Sequence, residues 1–330
     1  MADAQLDVVG VGNAIVDVIT QADEALIDRL KLSKGTMTLI DADEADRLYG
    51  EMGAGMETSG GSAANTLAGI ASLGGAGAYI GKVRDDQLGG VFSHDIKAAG
   101  VDYRSRPATE GESTARCLIF VTPDADRTMQ TFLGVSVMLG PDDIDPEAIG
   151  DSQITYLEGY LFDRDEAKEA FVKAAELAHA AGRKVALSLS DPFCVDRHRA
   201  SFLHLVEGHV DILFANHDEI TSLYETDSFD DAVGKLVGKV DLAAVTRGAE
   251  GSVIVTADQV IEIPAEPVTN VVDTTGAGDL YAAGVLFGLT QGYELEIAGR
   301  IGSICAAEVI SHYGARPETL LSALVKEKLG

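Results

Sequence analysis

Positive charge is scarce in this chain: 25 Lys and Arg stand against 53 Asp and Glu, for a formal net charge of −28. That balance argues against nucleic acid as a partner, because phosphate backbones are held chiefly by Lys and Arg clusters. It leaves room for a small phosphorylated ligand, which backbone N–H groups, a magnesium ion and a few local cations can hold. Long apolar runs are also missing. No stretch of about 18 uncharged apolar residues is present, so no membrane span is expected. The segment Met1 to Asp7 has no basic region ahead of an apolar one, so no signal peptide is expected and the cytoplasm is the expected location. The cysteines number only three (Cys117, Cys194 and Cys305), lie far apart and sit among apolar residues. They read as buried free thiols in a reducing compartment.

Several catalytic signatures are absent too. There is no G-x-x-x-x-G-K-[ST] loop, which argues against a P-loop nucleotidase. Gly10-Val-Gly12-Asn-Ala-Ile15 begins like a dinucleotide fingerprint but has Ile15 where the third glycine belongs. Neither H-E-x-x-H nor G-x-S-x-G occurs. No Pro-rich linker, charge block, low-complexity tract or internal repeat divides the chain.

What is present is a regular alternation. At 330 residues and 46% hydrophobic, the chain can bury a sizeable core. Val8–Gly12, Ala76–Ile80, Ile154–Tyr160, Val185–Ser190, Ile212–Ala215 and Ala243–Thr246 read as buried strands. Ala63–Leu73, Gln87–Ala99, Arg164–Ala181 and Asp230–Lys239 read as helices. Such βαβ units predict a three-layer α/β/α arrangement around a mostly parallel sheet. Thr36–Ile40 and Val101–Leu133 break the alternation and read as strands joined by turns, with Asp124–Asp126 as a hairpin tip. One domain spanning 1–330 is expected, with a small β-sheet lid formed by segments at about 14–42 and 101–136.

The densest chemical signal is Val268–Val272, read as a strand, followed by Asp273-Thr-Thr-Gly-Ala-Gly-Asp279 and then a helix marked by Leu280, Ala283, Gly284 and Phe287. A strand, a Gly-rich turn and a helix N-terminus make an anion site, since converging N–H groups and the helix dipole favour negative charge. Asp279 is badly placed there to bind phosphate and well placed to accept a hydroxyl proton. A carboxylate beside an anion hole suits phosphoryl transfer to an alcohol. Taken alone, the segment also suits an ordinary helix start with Asp279 as a first-turn acid.

Asp273-Thr-Thr-Gly-Ala-Gly-Asp279 closely resembles the second signature of the PfkB-type carbohydrate kinases, the ribokinase family. Gly60-Gly-Ser-Ala-Ala-Asn65 resembles the family's first, Gly-rich signature. Phe214-Ala-Asn216-His-Asp-Glu219 is similar to its N-x-x-E motif, and Ala244-Val-Thr246-Arg-Gly248-Ala-Glu-Gly251 to its nucleotide-binding turn. These blocks keep the family's order across nearly the whole chain.

The resemblance implies an ATP-dependent kinase with a ribokinase-like fold. In it Asp279 is the general base and the N–H groups of Gly276, Ala277 and Gly278 form the anion hole. Asn216 and Glu219 act on magnesium through its waters. Thr246, Gly248, Gly251 and Ala306 border the ATP. Arg127 matches a lid arginine that reaches the transferring phosphate. The carbonyls of Asp273 and Thr275 lie where the family often holds potassium. As plain features, Asn216 and Glu219 also fit a helix start, and Ala306 fits close helix packing.

For the acceptor, Asn13 and Asp17 follow the first strand at the carboxyl end, where parallel sheets bind ligands. The Asp17 carboxylate can accept from two vicinal hydroxyls at once, as on ribose O2′ and O3′. Gly61, Ser62 and Asn65 complete that grip, and Ile40, Leu133 and Phe162 suit an apolar slot for a purine and plain core positions equally. Within the family the pattern from Gly12 to Asp17 resembles adenosine kinases more than ribokinases, which predicts phosphorylation of the adenosine 5′-hydroxyl to give AMP and ADP. Thr274-Thr275-Gly276, however, is the form common to bacterial sugar kinases. A kinase for ribose, fructose, inosine or guanosine therefore stays open, as does a non-catalytic regulator on the same fold. Both a monomer and a homodimer fit the lid.

Overall fold

The computed structural model describes residues 4–124 and 126–330. Met1 to Asp3, the start of the segment read for a signal peptide, and Ala125, at the expected hairpin tip, lie outside the described residues. Among the described residues the strands are β1 (Leu6–Val11), β2 (Ile15–Gln21), β3 (Met37–Leu39), β4 (Met56–Gly60), β5 (Gly77–Ile80), β6 (Asp102–Tyr103), β7 (Ala115–Val121), β8 (Arg127–Phe132), β9 (Ser152–Glu158), β10 (Lys184–Ser188), β11 (Ile212–Asn216), β12 (Leu242–Thr246), β13 (Ser252–Val255) and β14 (Val260–Ile263). They form two sheets. The larger runs β14-β13-β12-β11-β10-β9-β1-β5-β6, and the smaller runs β3-β8-β7-β2-β4.

The large sheet is parallel from β12 to β6, with β13 and β14 added antiparallel at one edge. Its strands read as continuous apolar runs because both faces are covered. In β1, Val8 points into one core cluster while Val9 and Val11 point into the other. Helices Ser62–Leu73, Ala277–Thr290 and Leu295–Val309 cover the first face, and Asp165–Ala180, Pro192–Gly208 and His217–Tyr224 the second. This is the ribokinase-like α/β arrangement that the alternation and the resemblance predict. Helices Ala277–Thr290 and Leu295–Val309 cross so closely that a Cβ on Gly284 would lie 2.5 Å from the Gly302 nitrogen.

Three expectations need correction. Val268–Val272 is not a strand. Its apolar, β-branched composition suits one, but no neighbouring strand takes up its backbone: Val272 N–H and Asp273 N–H both donate to the Ile310 carbonyl, and Val271 is exposed. The small sheet includes β4, outside the expected segments, because Ile15–Ile19 of β2 pairs with Met56–Gly60. Conversely, Asp102–Tyr103 belongs to the edge of the large sheet, paired with β5. The helix expected at Asp230–Lys239 spans Phe229–Leu236 and stops before a turn in which Gly238 takes φ +75°. The three cysteines are buried.

Candidate active site

The helix Ala277–Thr290 begins at Gly276, whose φ of +81° and whose contact with Ala315 both exclude a side chain: a Cβ there would lie 2.8 Å from the Ala315 Cα. The tight turn leaves the N–H groups of Gly276, Gly278 and Asp279 without a protein acceptor among the described residues, while Ala277 N–H turns back to the Thr274 carbonyl at 3.2 Å. Two of the three predicted anion-hole donors are therefore free, and Asp279 N–H is a third.

The Asp279 carboxylate faces the start of the helix Ser62–Leu73. Its Oδ1 accepts from Ser62 Oγ at 2.6 Å, and its Oδ2 accepts from Asn65 Nδ2 at 2.9 Å. Thr66 Oγ1 donates to the Asp279 backbone carbonyl at 3.1 Å. Ser62 and Asn65, predicted to grip an acceptor, are thus spent on orienting Asp279 in this structure. Burial raises the pKa of Asp279, and the bonds from Ser62 and Asn65 and the charge of Arg316 oppose the rise. Gly61, at φ +102°, brings its Cα side so near the Asn13 carbonyl that a Cβ would sit 2.3 Å from that oxygen.

Asp17 projects from β2 over Gly60, where an added Cβ would meet its Oδ2 at 2.5 Å. It accepts no hydrogen bond from the described residues. Burial pushes its pKa up to about 6, with Arg127 and Arg316 pulling the other way and Asp279 adding to the rise. Arg127, on β8, is paired through Nη1 with Asp273, and the two side chains are 10% and 8% exposed. Asp273 also accepts from Thr275 N–H at 2.9 Å and from Gly314 N–H at 3.0 Å. Burial raises its pKa, but these bonds and Arg127 outweigh burial and leave it lowered. The carbonyls of Asp273 and Thr275 accept no hydrogen bond among the described residues, which fits a cation-coordinating role.

Two predicted acceptor contacts turn elsewhere. Asn13 is 1% exposed: its backbone N–H and its Nδ2 donate to Glu158 Oε1 at 3.3 and 2.9 Å, and its Oδ1 accepts from Ser136 Oγ at 2.9 Å. It supports the cleft floor and does not face the cleft. Phe162 is 1% exposed and stacks on Phe202 with centroids 4.5 Å apart, in the core on the helix-covered face away from Asp279. Its aromatic ring is taken by packing, so it does not line the predicted slot. Ile40 follows β3 and donates its N–H to the Thr131 carbonyl, and Leu133 directly follows β8.

On the other side of the large sheet's carboxyl edge, Asn216 ends β11 and opens the helix His217–Tyr224 in a capping box. Asn216 Oδ1 accepts from Glu219 N–H at 2.9 Å, while Asn216 N–H and Nδ2 donate to the Glu219 carboxylate at 2.9 and 2.6 Å. Glu219 is buried with no basic partner among the described residues, and burial above all pushes its pKa up to about 7, with Asp191 and Asp218 adding to the rise. A buried carboxylate lacking a cation is a group that a hydrated divalent ion would relieve, so the pair fits magnesium held through water. Thr246 is the register partner of Asn216 on β12. Gly248 (φ +57°) and Gly251 (φ +86°) shape the turn that follows, and half-buried Ala306 packs from the helix Leu295–Val309.

Sequence reasoning missed Glu158 and Arg316. Glu158, 1% exposed at the end of β9, accepts from Ala63 N–H at 2.8 Å and so anchors the helix that orients Asp279. Burial pushes its pKa up to about 7. Arg316 donates through Nη2 to the Ser59 carbonyl at 2.8 Å and to Ser59 Oγ at 3.0 Å. Only its position just after the Gly314 turn signals it in the sequence.

Comparison with known proteins bears on this geometry. The profile for pfkB family carbohydrate kinase matches residues 30–320. A solved adenosine kinase from Sinorhizobium meliloti is 49% identical, with a TM-score of 0.90 over 98% of this chain and 100% of its own. A probable sugar kinase from Rhizobium etli is 47% identical, with a TM-score of 0.90 over 98% of this chain and 99% of its own. An uncharacterized sugar kinase from Archaeoglobus fulgidus is 30% identical over 253 residues, covering 75% of this chain and 96% of its own.

Proposed function

Since this chain belongs to the pfkB family of carbohydrate kinases and is a phosphotransferase acting on hydroxyl groups, we propose that its acceptor is the 5′-hydroxyl of adenosine, converted to AMP as ATP becomes ADP. The observation that carries this reading is the pairing of Asp279, held by Ser62 and Asn65 beside helix-terminal N–H groups, with Asp17, neither those N–H groups nor Asp17 having a hydrogen-bond partner among the described residues. Asp279 is oriented to take the 5′-hydroxyl proton, and Asp17 is free to accept from the vicinal hydroxyls of a ribose. The likeness to the Sinorhizobium adenosine kinase at 49% identity supports the nucleoside.

In this mechanism the acceptor binds between the two sheets, with the small sheet acting as a lid on a single kinase unit. Asp17 fixes the ribose, and Asp279 accepts the hydroxyl proton as the oxygen attacks in line. The N–H groups of Gly276, Gly278 and Asp279 take up the charge of the transferring group. Asn216 and Glu219 would hold the nucleotide's magnesium through water, supplying charge neutralisation on the phosphates, and the carbonyls of Asp273 and Thr275 would hold potassium. Thr246, Gly248, Gly251 and Ala306 border the nucleotide. Arg127, released from Asp273, is placed to add a cation to the transferring phosphate. Exclusion of water keeps ATP hydrolysis from competing. The reading fits a cytoplasmic role in purine salvage.

A sugar acceptor is the second reading, favoured by Thr274-Thr275-Gly276 and by the likeness to the Rhizobium protein. ADP release measured with adenosine, inosine, guanosine, ribose and fructose separates the two. Adenosine is expected to give the highest kcat/KM. A sugar ahead of every nucleoside overturns the adenosine reading, and turnover with none of them overturns both.

A further inference from the structure

Arg316 is a guanidinium with unspent donors. Its Nη2 is fixed on Ser59, yet its Nε and Nη1 are buried and donate to no protein atom, and no carboxylate lies within ion-pair distance among the described residues. Buried N–H groups left unpaired are costly, and persist where another constraint holds them in place. Here the constraint is positional. Ser59 on β4 is the register partner of Val16, the neighbour of Asp17, and Gly60 lies directly under the Asp17 carboxylate. On the other side Ala315 sits against Gly276, the residue that opens the Asp279 helix. The chain thus carries Arg316 between the strand that bears Asp17 and the helix that bears Asp279. Ser59 is itself tied down, donating through N–H and Oγ to Asp95 at 2.8 and 2.6 Å.

The charge problem at this point is specific. Two acids converge in one cleft, and burial and mutual repulsion both favour their protonation. Asp17 faces Arg127, Arg316, Asp279 and the neutral Cys117 thiol. Asp279 faces Ser62, Asn65 and Arg316, and its charge reaches Asp17, Glu158, Tyr79 and Tyr156. Arg127 is committed to Asp273. Arg316 is the cation whose field acts on both acids, and Asp95, Asp17 and Asp279 in turn offset the burial that disfavours its charge.

We propose that Arg316 is a positioning residue of the acceptor site, a buried cation that keeps Asp17 and Asp279 ionised together. It acts through them and touches neither. The proposal rests on reading Asp279 as the base and Asp17 as the hydroxyl acceptor. It assigns Arg316 the task of letting an acid-rich site operate at neutral pH.

The test is the pH dependence of kcat/KM for the best acceptor in wild type, R316Q and R316K. In R316Q the acid limb is expected to move up by about one pH unit, so activity at pH 6.5 falls roughly threefold, approaching tenfold only at lower pH, while at pH 8.5 it barely changes. R316K, which keeps the charge but not the planar fork, is expected to hold the limb near its wild-type position. A uniform loss with an unmoved limb, or equal movement in both variants, overturns the proposal. Should R316Q not fold, S59A, which removes one of the two oxygens fixing Nη2, is expected to move the limb in the same direction by less, and no movement overturns it. Should no acceptor turn over, the function reading fails separately. The proposal is then decided by carbon NMR titration of the Asp17 and Asp279 carboxyls, assigned by their loss in D17N and D279N. Both are expected to titrate higher in R316Q than in wild type, and unchanged titrations overturn it.

Discussion

On the proposed nucleotide side of the cleft, Asn216 and Glu219 lie three residues apart and satisfy one another through a closed capping box. On the acceptor side, Asp17, Arg127, Asp279 and Arg316 come from four distant stretches of chain, and Asp17 accepts no protein hydrogen bond among the described residues. One half completes its hydrogen bonds from local sequence alone, with the Glu219 charge left for a cation to offset. The other is complete only when the two sheets and the 311–316 loop are assembled, and it retains unused acceptors and donors. A site of the second kind spends folding energy on charges that await a ligand. The two halves should therefore respond differently to substitution: the acceptor side in kinetics with little loss of stability, the capping box in stability as well as in nucleotide binding.

The largest effect should come from D279N. Asn at this position keeps partners for Ser62 and Asn65 but cannot take a proton, so kcat should fall by about two to four powers of ten while ATP binding persists. Near-normal turnover would remove Asp279 from the role of base. Next comes D17A, for which the acceptor KM should rise by about 10- to 100-fold, the scale of lost charge-assisted hydrogen bonds, with a smaller change in kcat. The wild-type pH profile sharpens this. Because the Asp17 pKa is pushed up to about 6, the free enzyme should lose acceptor affinity as pH falls through that value, when the carboxyl takes a proton and loses acceptor capacity. In D17A that limb should vanish, and its survival would assign it to another group. The smallest effect should be N216A, which opens the capping box and should cost about 1–2 kcal/mol, read as a drop of a few degrees or less in Tm. An unchanged Tm would show that the box contributes nothing to stability.

The same contrast governs what the sequence reveals. Asn216 with Glu219, and Gly276 to Asp279, are legible because partners within a few residues make a local pattern with a mechanism. The alternating strands are legible because burial on both faces demands continuous apolar runs. Glu158 and Arg316 escape, since each bonds to partners 95 to 257 positions away, a placement that only the assembled sheets define. Phe162 misleads because an aromatic beyond a strand end suits a ligand slot and a core equally, and the second helix layer decides for the core. Val268–Val272 misleads because β-branched residues suit a strand only where a neighbour accepts the ladder.

The Arg127–Asp273 pair, finally, ties strand β8 of the small sheet to the turn that presents the anion hole, with both side chains nearly shut off from solvent. Asp273 also fixes Thr275 N–H, three residues before the free N–H of Gly278. Any displacement of the small sheet therefore pulls on the same carboxylate that sets the turn, and pulling the pair apart strands two charges in poor solvent. Such a moored joint resists partial opening. It favours two well-separated positions over a continuum of intermediate ones, so exchange between them should be a discrete, cooperative event.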